Sequence, residues 1–200
     1  MKQTLIKTVV LVFAISASLA SCKKDKVETK NSFKYNQKES EIGTTMGFQF
    51  GALDGGVYGI GVEFFEKTFT VHYVNGLPDS LSGKGDLLEL TFLTNNETQI
   101  ASGVYNFLDL NTATSLKAFS IAGGLYVNVD AADSSNPVPI GITGGKVTVT
   151  KNSDEYEFTF DLNTNANTKI TGYYKGKTVI YTDGKKKSSS SNSGFFNPLR

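Results

Sequence analysis

Few side chains in this 200-residue chain could do covalent chemistry. It holds one histidine, His72, and one thiol, Cys22. A Ser-His-Asp or Cys-His device needs a histidine within reach of its nucleophile. His72 sits beside Thr70 in the alternating run Phe69-Thr70-Val71-His72-Tyr73, with no Gly-x-Ser-x-Gly elbow anywhere in the chain. An exposed strand histidine accounts for it. A zinc site takes several His or Cys ligands, more than this sequence supplies, so we expect no metal and no cofactor.

Paired carboxylates are the remaining route to hydrolysis, since glycosidases work with two. The close pairs are Glu63 with Glu66, and Glu155 with Glu157. Glu155 and Glu157 share the polar face of an alternating segment, where solvation explains them. Glu63 and Glu66 border a turn into the next segment and carry the same plain reading. A carboxylate hydrolase built on Glu63 and Glu66 stands as an alternative. Asp161-Leu162-Asn163-Thr164-Asn165-Ala166-Asn167 opens like a calcium loop. That pattern wants Gly at its sixth position and Glu at its twelfth, where this chain has Ala166 and Gly172. A polar turn accounts for the segment. Among the nine tyrosines, Tyr58, Tyr126 and Tyr173 fall on faces opposite the expected core and could stack on sugar rings. Tyrosine is equally at home on half-buried strands, and structural use is our expectation. We therefore expect no catalytic residues and no enzyme.

The elements that would position these groups are strands. From Ile42 to Thr182 the apolar period is two, not 3.6. Tyr156, Phe158, Phe160 and Leu162 alternate with Glu155, Glu157, Thr159 and Asp161, as a strand buried on one face requires. Lys146 to Lys151 precedes it with the same alternation, and Asn152-Ser153-Asp154 supplies a hairpin turn. Lys169 to Lys175 follows, with Gly172 in mid-strand where a bulge or close backbone approach is the usual cause. With Lys177 to Thr182 as a fourth strand, 145–182 reads as an antiparallel meander. Upstream strands are expected at Thr45 to Phe50, Val57 to Phe65, Phe69 to Tyr73, Leu88 to Phe92, Val104 to Phe107, Leu116 to Ile121 and Leu125 to Asp130. Breakers such as Asp54-Gly55-Gly56, Asn75-Gly76 and Gly123-Gly124 separate them. About ten or eleven short strands spell an all-β fold, an antiparallel β-sandwich. A closed, lipocalin-like β-barrel satisfies the same periodicity, and would carry an apolar small molecule.

The N-terminus is of another kind. Lys2 and Lys7 precede an uncharged run from Thr8 to Ala20, the length of a signal segment and short of the roughly 20 apolar residues of a bilayer-spanning helix. The run ends in Leu19-Ala20-Ser21-Cys22. This tetrapeptide resembles a lipobox, which implies cleavage between Ser21 and Cys22, with lipid attached at Cys22. The chain's only cysteine can form no internal disulfide. Each buried CH₂ of an acyl chain contributes about 0.8 kcal/mol, so two or three chains anchor stably.

Charge is segregated along the mature chain. Residues 23–40 carry six lysines against Asp25, Glu28 and Glu39; residues 41–184 carry 8 basic and 16 acidic residues, net −8; residues 185–200 add four basic ones. An acidic body excludes nucleic acid as its main partner. The polar, Lys-rich stretch 22–40 is expected to be a lipidated flexible tether spanning about 60 Å, 41–184 the all-β domain, and 185–200, with Lys185-Lys186-Lys187, Phe195 and Phe196, a disordered tail.

The run Cys22-Lys23-Lys24-Asp25-Lys26 resembles the charged stretch after the lipid cysteine in lipoproteins of the Bacteroidota. Ser102-Gly103-Val104-Tyr105-Asn106-Phe107, Gly144 to Val149, Tyr156 to Leu162 and Ile170 to Gly176 are similar to strand patterns of small, largely uncharacterised lipoproteins of that group. The resemblance implies an outer-membrane lipid anchor, open to surface display, and no activity. The expected function is a non-enzymatic binding or structural module held to a membrane through Cys22, its ligand a glycan, protein or small molecule.

Overall fold

The computed structural model describes residues 29–133 and 137–182. The expected signal segment with Ser21 and Cys22, and the expected tail with Lys185 to Lys187, Phe195 and Phe196, lie outside them. The described chain is all-β, as its period of two requires. Its strands are β1 (Ser32–Tyr35), β2 (Lys38–Leu53), β3 (Val57–Glu66), β4 (Thr70–Val74), β5 (Leu77–Ser82), β6 (Lys84–Thr94), β7 (Gly103–Phe107), β8 (Ser120–Asp130), β9 (Ile140–Asn152), β10 (Glu155–Thr164), β11 (Lys169–Lys177) and β12 (Val179–Tyr181).

Ten of them form one sheet in the order β1-β11-β10-β9-β7-β8-β6-β3-β2-β12, and β1 also pairs with β2. The antiparallel ladder therefore returns on itself, with β1 as the joint between β11 and β2. Two layers face each other, β2-β3-β6-β8 and β9-β10-β11-β1. Phe64 of β3 meets Phe158 and Phe160 of β10 edge to face, at 5.1 and 5.0 Å between ring centroids. Phe92 of β6 reaches Phe158 at 5.6 Å and Tyr105 of β7 at 5.1 Å. Each such pair contributes about 0.5–1.5 kcal/mol beyond its buried area. The two geometries named from the sequence meet here: a sandwich's packed, two-layered core, and a ladder continuous around it.

The alternation in β10 holds residue by residue, Tyr156, Phe158, Phe160 and Leu162 being buried and Glu155, Glu157, Thr159 and Asp161 facing out. Besides β5 (Leu77–Ser82), which no expected strand covered, three segments depart from expectation. The first is residues 32–40, which belong to the sheet and not to a tether, with Phe33 fully buried. Surrounding lysines mask the alternation of Phe33 and Tyr35, and Asn36-Gln37, at φ 48° and 68°, make the two-residue turn into β2. Next, Gly123-Gly124 does not break a strand; β8 runs through it, and residues 116–119 precede β8. A Cβ on Gly123 would lie 2.1 Å from the Glu89 carbonyl oxygen, so the bare backbone lets β6 approach. Gly172 serves β1 the same way, 2.3 Å from the Ser32 carbonyl oxygen. Last, the segment after β11 does not extend the meander. Thr178 crosses to Thr45, their hydroxyls 2.8 Å apart, and β12 then pairs parallel with β2 over Met46 to Phe48.

The two-stranded hairpin β4-β5 stands apart from the main sheet. Its base residues Phe69 and Leu81 join Met46, Phe65, Leu87 and Val129 in a second apolar cluster, on the outer side of the first layer. Truncating Phe64 removes three ring contacts from the main core. Phe64→Ala should cost about 3–5 kcal/mol in urea unfolding, whereas Thr159→Ala on an outward face should stay within about 0.5 kcal/mol.

Candidate functional site

On β3, Ile60, Val62 and Phe64 point into the main core, which turns Glu63 and Phe65 outward. On β6, Leu88, Leu90 and Phe92 point inward, which turns Leu87 and Glu89 outward. Because Glu63 and Glu89 are register partners across the β3-β6 ladder, two carboxylates sit side by side on the outer face. Such neighbours have Cβ atoms about 4.5–5.5 Å apart. Met46 flanks Glu63 on β2 and Gly124 flanks Glu89 on β8. Phe65 and Leu87 form the next row, opposite Tyr126 of β8. Glu63 is only 3% exposed despite facing outward, since the second apolar cluster builds up around it.

Burial raises the pKa of Glu89, and the Tyr126 hydroxyl, donating to its carboxylate, works against that rise. Tyr126 itself is pushed up to about 12, first by burial, then by the charge of Glu89, by the hydrogen bond it donates, and by the charge of Glu63. At neutral pH Tyr126 is a neutral donor. Above the site Tyr181 of β12 shares a hydrogen bond with Tyr73 of the hairpin, and its ring lies 6.0 Å from that of Phe48. Carboxylates and phenols framed by aromatic rings can hold a polar ligand with apolar faces.

The structure separates Glu63 from Glu66. Glu66 accepts the Asp86 backbone N–H at 2.8 Å and lies 3.5 Å from the Lys38 ammonium. Asp86, itself 1% exposed, accepts from Ser40 (2.9 Å), the Asn128 N–H (3.0 Å) and Lys38 (2.8 Å). Burial disfavours the Lys38 charge, but the hydrogen bond and charge of Asp86, then those of Glu66, outweigh it and raise its pKa. This is a structural clasp where β1-β2, β6 and β8 meet.

The other candidates scatter. His72 is exposed, its Nε2 2.8 Å from the Ser82 hydroxyl across the hairpin. Glu157 faces Lys175 at 3.9 Å and accepts from Tyr173, on the outer face of the second layer. Glu155 pairs in register with Lys177 at the end of the same ladder. Asp161 is paired with Lys169 at 3.0 Å, and the turn beyond it closes through the Thr164 and Thr168 hydroxyls. Tyr58 shares the inward side of β3 with Ile60, opposite the buried Thr94; its expected outward placement was wrong because a strand parity counted from Ile60 turns it in. Among the described residues, no group of three or more His, Cys, Asp or Glu could hold a metal ion, and no helix is long and apolar enough to cross a membrane. Glu89, Asp86 and Lys38 escaped the sequence reading. For Glu89 the signal was its polarity between Leu88 and Leu90; its pairing with Glu63 needed the β3-β6 register.

Comparison with family models, with curated proteins and with solved structures finds no match.

Asp86→Ala would strip the acceptor from three donors and should cost about 3 kcal/mol in urea unfolding; Asp86→Asn, keeping one acceptor oxygen, should cost less. On the acid side, Glu39 is held below its ordinary value by the Ser32 hydroxyl and then Lys34, and Glu41 by Lys67 and then Lys30. A lowered carboxylate stabilises the fold above its unfolded value of 4.5 and loses that effect as pH falls through the folded one. Stability followed by urea unfolding should therefore decline as pH drops below about 4.5.

Proposed function

We propose that this chain is an exported lipoprotein, lipid-anchored at Cys22 in an outer membrane, whose β body is a non-enzymatic binding or structural module. The observation that supports the anchor is the leader Thr8 to Ala20, ending in Ser21 and the chain's sole cysteine. Only nine residues, 23–31, separate that cysteine from β1. They reach at most about 30 Å, half the span first expected, so the body would stay close to the bilayer.

The ligand-facing surface in this reading is the outer face of the first layer, with the half-buried Glu89 and Tyr126 among Phe48, Tyr73 and Tyr181. The carrier alternative gains nothing from the core, whose centre is taken by the rings of Phe64, Phe92, Tyr105, Phe158 and Phe160. A hydrolase built on Glu63 and Glu66 would have to use a Glu66 already engaged with Lys38 and the Asp86 amide.

Cells fed a labelled fatty acid should incorporate it into this chain, and the protein should partition into detergent; Cys22→Ser should lose both. An unlabelled parent chain found in the aqueous phase would reject the anchor. Glycan arrays and pull-downs with the soluble body should find a ligand whose binding falls in Tyr126→Phe. Reproducible turnover of a substrate would reject the non-enzymatic reading.

A further inference from the structure

The tip of the β4-β5 hairpin carries the chain's one Asn-Gly pair, Asn75-Gly76. Val74 and Leu77 are register partners, so these two residues make the whole turn. Their φ angles are 53° and 77°, the doubly left-handed backbone of a type I′ turn. Both residues are exposed, as are Tyr73 and Val74 before them. A Cβ on Gly76 would meet nothing within 4 Å, so the peptide between the two stands in open solvent. No described residue hydrogen-bonds the Asn75 side-chain amide or the Gly76 N–H.

The other asparagines differ in one respect or another. The Asn31 amide is held on both sides by the Lys175 backbone. Asn96 accepts from the Thr98 N–H and hydroxyl. Asn36, Asn128 and Asn167 share the left-handed backbone, but Gln37, Val129 and Thr168 follow them, and a side chain there crowds the next peptide nitrogen. Gly76 has none. The hairpin is also a separate two-stranded sheet of five and six residues. Such a pair is marginal by itself, and its exposed tip opens locally well before the whole fold does. In the opened turn the Gly76 nitrogen can swing onto Asn75 Cγ.

We propose that Asn75 is a site of self-modification: its side-chain amide closes onto the Gly76 backbone nitrogen and hydrolyses to aspartate and isoaspartate. The Gly76 N–H gives its proton to water or hydroxide as the nitrogen bonds to Cγ. Nδ2 takes up a proton and leaves as ammonia, so one C–N bond forms while another breaks and nothing is oxidised or reduced. Water then opens the succinimide ring at either carbonyl. Opening at Cγ leaves aspartate in the normal chain. Opening at the main-chain carbonyl of Asn75 routes the backbone through Cβ and Cγ, as isoaspartate. Both products place a new negative charge beside Tyr73. Isoaspartate also lengthens the main chain of a turn that has room for two residues only, which loosens the pairing of Val74 with Leu77. The rim of the face assigned above to a ligand thus changes with age; the modification itself does not depend on that assignment.

The test is incubation of the full exported chain in mildly alkaline buffer, followed by brief tryptic digestion and mass spectrometry, with a zero-time sample subtracted. Peptide 68–84 contains a single side-chain amide, Asn75, whereas peptide 152–169 contains four asparagines, none before glycine. Peptide 68–84 should exchange amide for acid at least about tenfold faster than 152–169. Part of its product should accept a methyl group from protein isoaspartyl methyltransferase. Mildly acidic buffer should slow the conversion, because the nitrogen attacks as it loses its proton. Gly76→Asp keeps a residue that tolerates positive φ but adds a side chain, and should slow the conversion at least about tenfold. Equal rates in the two peptides, an unchanged rate in Gly76→Asp, or conversion with no methyl-accepting product would overturn the assignment.

Discussion

The contact of Phe64 with Phe158 and Phe160 settles the orientation of every neighbouring side chain. Side chains alternate strictly along a strand, and a slip of one residue would send the whole set to the opposite face. With Phe64 fixed between the layers, Glu63 and Phe65 have to face out, and the β3-β6 register then sets Glu89 beside Glu63. The acidic pair is thus a by-product of aromatic packing on the far side of the same backbone. Its burial comes from a second layer of apolar residues that the first layer needs for nothing. Phe65, Leu87 and Met46 are outward-facing yet nearly inaccessible, and a hairpin with its own small sheet keeps water from them.

Most of the architecture was legible because it rests on local alternation. The second half of β9, β10 and β11, their turns, and the close approach at Gly172 could be read from residue order alone. What could not be read depends on distant partners. Gly123-Gly124 has the composition of a turn, but Gly123 is bare because the β6 backbone passes next to it. β1 hides in a lysine-rich stretch because four residues give alternation too little length to stand out. β12 is carried to β2 by the pairing of Thr45 with Thr178, residues 133 apart in sequence. The site was half visible: Glu63 and Tyr126 were noticed singly, while their placement beside Glu89 required the β3-β6-β8 register. The reading of Cys22 and the segment before it concerns processing and not packing, and falls on residues outside those described.

Two buried arrangements of carboxylates in one fold make an instructive contrast. Asp86 is almost inaccessible, yet hydroxyl, amide and ammonium donors surround it. A bond from Tyr126 reaches Glu89, but its nearest register neighbour carries charge of the same sign. The first arrangement ties three strands together at the end of the sheet. The second lies on the outer face of the first layer, beside the apolar cluster that the β4-β5 hairpin joins.

The joint at β1 has a mechanical side. Beyond Ser32 the strand gives way to Asn31, whose side-chain amide donates to the Lys175 carbonyl at 2.9 Å and accepts the Lys175 N–H at 2.8 Å, imitating one more peptide of the ladder. β1 is hydrogen-bonded on both edges, to β2 and to β11. A load applied along it from residue 31 would be shared by two ladders in shear, with all their bonds strained together. The wall of the body is thereby bonded on both edges at the point where the sheet begins.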